Sequence, residues 1–425
     1  MRSSFGLFIF LLIVLLVDLY VLQAIKLMVQ NASDKTRLLV FSLYGCLTFF
    51  SVTVILLFAF SSTDFLGKSL KTFLFSIVLG LFIAKLIMVL FFMIDDLRRL
   101  IQWILLKINF LFKASYKMDD AVNVVTTDDN ITRSLFMSWL GVSTGTLLFG
   151  SLLSGFSNKY NYKLIKQKLT FPNLPNAFKG LKIIHISDIH SGSLSDKEAV
   201  KKGIDIINSQ HADLILFTGD LVNDRASEMN DLMDLFAQLK APLGVYSSLG
   251  NHDYGEYVQW PDKEGITKEE NLDRLKKVHA DMGWKLLLNE HVLLQKGDDK
   301  LALIGVENWS AKARFPKYGK LDKAYEGLKD DDFKILMSHD PSHWHAEVLK
   351  DYENIHLTLS GHTHGMQFGV ELPGFKWSPV QYVYNEWAGL YENGHQKLYV
   401  NRGFGFLGYP GRVGIMPEIT LLELA

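Results

Sequence analysis

Two kinds of apolar pattern divide the chain. Up to about residue 157 the apolar positions form long runs: Phe5 to about Leu27, Leu38 to Phe60, Phe73 to Ile94 and Leu135 to about Phe156. Each approaches the roughly 20 residues that cross a bilayer as a helix. The first is longer than a cleaved signal and three more follow it, so it reads as a retained span. From Asn158 onward the runs shorten to LKIIHIS, DLILFT, LGVYSSL, LALIGV, FKILM, IHLTLS, KLYV and ITLLEL. Short runs rich in β-branched and large apolar residues are the signature of buried strands. Helical stretches separate some of them, and one begins at SDKE, where Ser195 and Glu198 have the spacing of a capping box. The pattern predicts an α-helical membrane domain of four transmembrane helices, residues 1–157, followed by a mixed α/β domain, residues 158–425.

Between the third and fourth runs lies RRLIQWILLKINFLFKASYK. Arg98, Arg99, Lys107 and Lys113 interleave there with Ile, Leu, Trp and Phe. Such a segment, near 98–115, suits a helix lying in the membrane interface, or one packed on the other spans. With Lys117 and Arg133 it makes this connection the most basic one. If it is cytoplasmic, both ends of the membrane domain face outside. Lys159, Lys163, Lys166 and Lys168 pull the other way; an extracytoplasmic catalytic domain is the favoured expectation. Asp18 and Lys85 lie midway along parallel spans, at similar depth. A charge in lipid is costly unless paired, so they are expected to form a structural ion pair, with a proton or ion pathway as the alternative.

Composition narrows the rest. The 425 residues are 48% hydrophobic and include 29 Phe, in keeping with a membrane part. A formal net charge of −1 gives no footing for nucleic acid as a partner. The single cysteine, Cys46, sits in an apolar run, which excludes a disulfide framework and a cysteine zinc site.

Polar residues gather where the short runs end. Asp188 and His190 follow LKIIHIS; Asp220 follows DLILFT; Asn251, His252 and Asp253 follow LGVYSSL; His339 follows FKILM; His362 and His364 follow IHLTLS. Each cluster alone has the composition of a turn. Five of them, each after an apolar strand, describe a site built at the strand ends of an α/β sheet. Carboxylates and imidazoles without cysteine suit two divalent transition ions, a close pair of which one carboxylate can bridge.

The series DIH, GDLVND, GNHD, SHD and GHTHG, in this order, resembles the metallophosphoesterase (calcineurin-like) superfamily. The resemblance runs from Lys182 to the end of the chain. The context GHTHGMQ and the ending NRGFGF…GIMPEITLLEL further resemble a bacterial subgroup of membrane-tethered or exported phosphodiesterases, with relatives that act as UDP-2,3-diacylglucosamine pyrophosphatases. The subgroup has Gly-Gly-Gln after the last histidine, where this chain has Met366 in place of the second glycine.

The resemblance implies a β-sandwich flanked by helices and two divalent ions, manganese, iron or zinc. Asp188, His190 and His364 would hold one ion. Asn251, His339 and His362 would hold the other, with Asp220 bridging. His252 would act beside the phosphate, with Asp253 orienting it. The substrate implied is a lipid-linked phosphodiester or pyrophosphate such as a nucleotide-activated acylated sugar, cut by an enzyme of the bacterial inner (plasma) membrane. Soluble nucleotides or cyclic phosphodiesters are the alternative, and a non-catalytic scaffold or sensor a further one.

Two features near the last cluster bear on substrate. The run PGFKWSPVQYVYNEWAGLY is densely aromatic, and its residues, Trp377 among them, suit an acyl-binding wall, a membrane interface or sandwich core. Arg402 could reach a phosphate with its planar fork, or make a plain ion pair.

Overall fold

The structure, a computed structural model, describes residues 4–60, 66–113 and 133–425. It divides into two compact units, Met1–Leu153 and Ser154–Ala425.

In the first unit the long apolar runs form helices α1 (Ser4–Met28), α2 (Asp34–Phe60), α3 (Lys68–Lys113) and α4 (Arg133–Gly155). All four are long and apolar enough to cross a membrane. Large apolar side chains such as Phe8, Leu38, Phe49, Leu90 and Leu147 point outward, as lipid-facing residues do. Asp18 and Lys85 are both buried and form the expected ion pair. Tyr44 supports it by donating its hydroxyl to the Asp18 carbonyl at 2.9 Å and to Oδ1 at 3.2 Å.

The segment expected as a separate interfacial helix is instead the end of α3. That helix has 46 residues, roughly 70 Å at about 1.5 Å per residue, more than twice the hydrocarbon thickness of about 30 Å. No Gly or Pro between Asp95 and Lys113 interrupts it. Residues 114 and 115, and Lys117, lie outside the described residues. Arg98 and Arg99 both pair with Asp95, at 3.0 and 2.9 Å, and Ser134 donates to the same carboxylate at 2.6 Å.

The second unit stacks two six-stranded sheets. Its strands are β1 (Lys163–Leu169), β2 (Lys182–Ile186), β3 (Leu214–Thr218), β4 (Val245–Ser248), β5 (Lys285–Leu286), β6 (Glu290–Lys296), β7 (Asp299–Gly305), β8 (Phe333–Met337), β9 (Leu357–Ser360), β10 (Val370–Leu372), β11 (Phe375–Trp377), β12 (Gly389–Asn393), β13 (Gln396–Val400) and β14 (Glu418–Leu424). One sheet has the order β1-β14-β2-β3-β4-β5 and the other β12-β13-β9-β8-β7-β6, while β10 and β11 make a separate hairpin. In the first sheet β2, β3, β4 and β5 run parallel. In the second, β7, β8, β9 and β13 do.

Successive strand residues point to opposite faces, and here both faces are covered. Ile183, Leu214 and Leu216 of one sheet meet Leu303, Ile335, Met337, Leu357 and Leu359 of the other in the shared core. Their neighbours Ile184, Ile215 and Phe217 turn outward under α5 (Lys197–Asn208) and Phe236. On the far side Ile304, Leu336 and Leu398 lie under Trp344 and Val348. This double burial is why the strands read as unbroken apolar runs, and the result is the expected sandwich flanked by helices. The cap of α5 is Asp196, whose carboxylate accepts from Ala199 N at 3.0 Å, not the expected Ser195. Ser195 N is taken by the Tyr160 hydroxyl at 3.1 Å.

Candidate metal centre

The parallel strands of both sheets end at one edge. There β2 delivers Asp188 and His190, β3 Asp220, β4 Asn251 and His252, β8 His339, and β9 His362 and His364. The backbone then turns sharply. Asp188, His190, Asp220, His362 and His364 all have positive φ, from 49° to 72°, a region that costs a non-glycine residue roughly 1–3 kcal/mol. The turn directs these side chains into common space. Crowding explains the adjoining glycines. A Cβ on Gly361 would stand 2.2 Å from Asp188 Oδ2, and one on Gly250 would stand 2.2 Å from Asp220 Oδ1.

Two buried groups result, Asp188 with His190 and His364, and Asp220 with His339 and His362. In the first, His190 Nε2 is 3.0 Å from His364 Nε2, which lies 3.2 Å from Asp188 Oδ1. In the second, His339 Nε2 is 3.1 Å from Asp220 Oδ2 and 3.3 Å from His362 Nδ1. Asp220 Oδ2 is also 3.6 Å from His190 Nε2, so this carboxylate stands between the groups. Asn251 is buried beside them; its Nδ2 donates to the Tyr257 hydroxyl at 2.8 Å, while its Oδ1 has no hydrogen-bond partner.

The outer atoms fix which nitrogen faces inward. His339 Nδ1 donates to the Thr218 carbonyl at 2.6 Å, leaving Nε2 toward Asp220. His362 Nε2 bonds the Tyr384 hydroxyl at 2.9 Å, which donates onward to Asp340 Oδ2 at 3.2 Å, leaving Nδ1 inward. Such partners orient metal-ligating histidines.

Burial pushes the Asp188 and Asp220 carboxyls up, yet the imidazoles of His364 and His339 outweigh it and hold both well below the usual carboxylate range. Burial pulls His190 and His362 below the usual histidine range. The donor set fits two divalent ions on these observations: ionised carboxylates, two imidazoles (His190 and His362) biased to the neutral form, and an orphaned buried amide oxygen.

The structure separates the other expected residues. His252 fits beside the centre. Its ring packs edge-on to His190 with centroids 5.0 Å apart, and its Nδ1 donates to the Asn223 carbonyl at 2.7 Å, which leaves Nε2 for a ligand. Asp253 does not orient it. Its oxygens accept from the backbone N–H groups of Gly250, Asp220, Leu221 and Val222 at 2.8–3.3 Å, tying together the two loops that carry Asp220 and Asn251. Burial, then the Asp220 charge, pushes the Asp253 carboxyl up to about 7, against these four donors.

Arg402 makes ion pairs, to Glu418 and Glu371, rather than facing the centre. Glu418 is fully buried and needs a cation there. Trp377 lies on the β10–β11 hairpin and is half-buried, with its indole N–H directed at the Tyr382 hydroxyl, 3.4 Å away.

Sequence reading missed Tyr384, Asp340 and Arg412. Arg412 is fully buried and donates to the carbonyls of Arg402, Gly403 and His364, binding the glycine-rich loop under His364. Asp340 was in view, inside SHDP. Tyr384 was in view only as one of several aromatics.

The family described as "Probable Calcineurin-like phosphoesterase, transmembrane domain" matches residues 1–159, and "Calcineurin-like phosphoesterase" matches residues 181–366. The chain is 33% identical to the uncharacterized metallophosphoesterase YkuE of Bacillus subtilis, over 59% of this chain and 81% of that protein. It is 29% identical to a Danio rerio transmembrane protein with a metallophosphoesterase domain, over 62% of this chain and only 57% of the relative's length. A third relative is the UDP-2,3-diacylglucosamine pyrophosphatase LpxG of Chlamydia muridarum, 27% identical over 59% of this chain and 86% of that protein.

Proposed function

Because the chain belongs to the calcineurin-like metallophosphoesterase family, with a four-span membrane domain ahead of the catalytic fold, we propose that it hydrolyses a phosphodiester or pyrophosphate bond in a lipid-linked substrate, of the kind represented by a nucleotide-activated acylated sugar. The observation that carries the hydrolytic reading is the pair of Asp/His groups joined by Asp220 at one sheet edge.

In this reading Asp188, His190 and His364 hold one divalent ion. Asn251, His339 and His362 hold the second, and Asp220 is shared. When bound, the ions supply positive charge to the phosphoryl oxygens and acidify a water. Thr218, Tyr384 and Asp340 keep His339 and His362 turned inward. The bond formed joins water oxygen to phosphorus; the bond broken leaves its electron pair on the departing oxygen. His252, held by Asn223 through Nδ1, gives that oxygen a proton from Nε2 and is reprotonated from solvent.

The lipid half of the proposal is supported by the membrane domain and by likeness to a pyrophosphatase of a diacylated nucleotide sugar. Tethering to the bilayer raises the encounter rate with a substrate confined to the same plane. An extracytoplasmic catalytic domain completes the reading, supported by Arg98, Arg99, Lys107 and Arg133 flanking the α3–α4 connection, and a bacterial inner membrane by likeness to the Bacillus and Chlamydia proteins.

The test compares an acylated nucleotide-sugar pyrophosphate with its deacylated headgroup, using the manganese-loaded full chain in matched detergent. Each buried methylene is worth about 0.8 kcal/mol, so acyl removal is expected to lower kcat/KM by orders of magnitude. Equal values for the two substrates would remove the lipid reading and favour soluble phosphodiesters.

A further inference from the structure

The connection after β7 passes over the centre and is one-sided in charge. From Trp309 to Gly319 it carries Lys312, Arg314 and Lys317 and no acidic residue. Phe315 anchors it, with its ring edge-on to His362 and centroids 4.7 Å apart. The exposed Arg314 guanidinium lies on that same Phe315 ring, 4.4 Å from its centroid. Lys312 Nζ is 5.3 Å from the centroid of Tyr384, the residue that holds His362.

Tyr384 also walls a cavity of about 300 Å³ that Lys312 helps to line. The one carboxylate on that cavity, Glu386, is taken by His345 at 2.8 Å. Neither Lys312 nor Arg314 pairs with a carboxylate among the described residues. A guanidinium stacked on an aromatic face keeps its N–H edge free for a bidentate phosphoryl contact.

We propose that Arg314, assisted by Lys312, is a specificity-determining anion clamp that binds a second phosphoryl group, joined through a bridging oxygen to the one held between the two Asp/His groups. This rests on the phosphoesterase reading above and sharpens it to pyrophosphate-linked substrates. When water adds to the scissile phosphorus and the bridging P–O bond breaks, the departing phosphoryl oxygen takes the electron pair, and the clamp offsets that charge.

The experiment measures kcat/KM of the manganese-loaded full chain on two probes, an acylated nucleoside diphosphate sugar and bis(p-nitrophenyl) phosphate, which has one phosphoryl group. Hydrogen bonds to charged groups are worth roughly 1.5–3 kcal/mol, about 10- to 100-fold. Arg314→Ala is expected to lower the pyrophosphate-to-diester ratio by that factor, and Arg314→Lys to restore part of it. An unchanged ratio in Arg314→Ala overturns the clamp, as does a wild type that cuts the diester and not the pyrophosphate. A wild type that cuts neither probe removes the phosphoesterase reading, and the clamp with it.

Discussion

At the scale of single residues, neighbours in sequence have unlike tasks. His252 offers a free Nε2 to the centre, while Asp253 faces away and receives four backbone N–H groups. Their substitutions should separate accordingly. His252→Gln is expected to keep both ions and lose about 10²–10⁴-fold in turnover, the usual scale of a general acid. Asp253→Ala strands buried donors, at about 1–3 kcal/mol each. It is expected to lower the thermal midpoint and release metal along with activity. Elemental analysis beside turnover checks both; metal loss in His252→Gln would make it a ligand, and full metal with normal stability in Asp253→Ala would overturn its tie between the loops. The His-Asp dipeptide signalled chemistry in the sequence because both residues can catalyse. It did not say which way each side chain points, since that depends on left-handed backbone at Asp220 and its neighbours.

At the scale of elements, the four apolar helices and the eight inner strands were legible because burial in lipid, or on both faces, leaves long apolar runs; the edge strands β1, β5, β6 and β12 and the β10–β11 hairpin, less buried, left no such run. The end of α3 was not legible either. Its alternation of basic and apolar residues suits an interfacial helix as well as a continuing one, and only the lack of a breaker before Lys113 favoured continuity. Arg402 was ambiguous for a different reason: its partner Glu418 lies on β14 and Glu371 on the β10–β11 hairpin, contacts that local spacing does not encode. The turn after β9 carries a cost that the sequence did signal. Gly365, Met366 and Gln367 all have φ near +54°, and Met366 stands exposed. A left-handed conformation costs a residue with Cβ about 1–2 kcal/mol, and glycine escapes it. Met366→Gly is expected to raise the melting temperature of the full chain in detergent by roughly 2–4 °C. A fall would mean that the thioether makes a contact worth more than the strain.

At the scale of the whole molecule, metal loading and protonation are linked. In the metal-free protein burial pulls the His339 imidazolium down, but Asp220 and Asp188 outweigh it and hold it up at about 10. The pair with Asp220 thus stabilises the metal-free fold fully below pH 6.5, and that contribution is lost as pH rises through about 10. A ligating histidine must be neutral. Manganese uptake at pH 8 is therefore expected to release a proton from His339, and affinity to rise about tenfold per pH unit until near 10. Calorimetric titration in buffers of different ionisation enthalpy reads the proton directly; uptake with none released would contradict the ligand role.

The position of β14 has a consequence for how the protein is made. It fills the slot between β1 and β2, yet it is translated roughly 230 residues after β2. At about 5–20 residues per second, the nascent chain spends roughly 10–50 s with that slot open. During this interval β1 and β2 both present unpaired edges, an invitation to another chain. The sequence of β1, KLIKQKL, places Lys163, Lys166 and Lys168 along that edge. Lysines on an open strand repel intruders that bring no matching carboxylates, whereas β14 brings Glu423 to Lys168. Among the lysines that blur the topology of the membrane domain, those on β1 thus bias its open edge toward a strand that carries matching carboxylates, as β14 does.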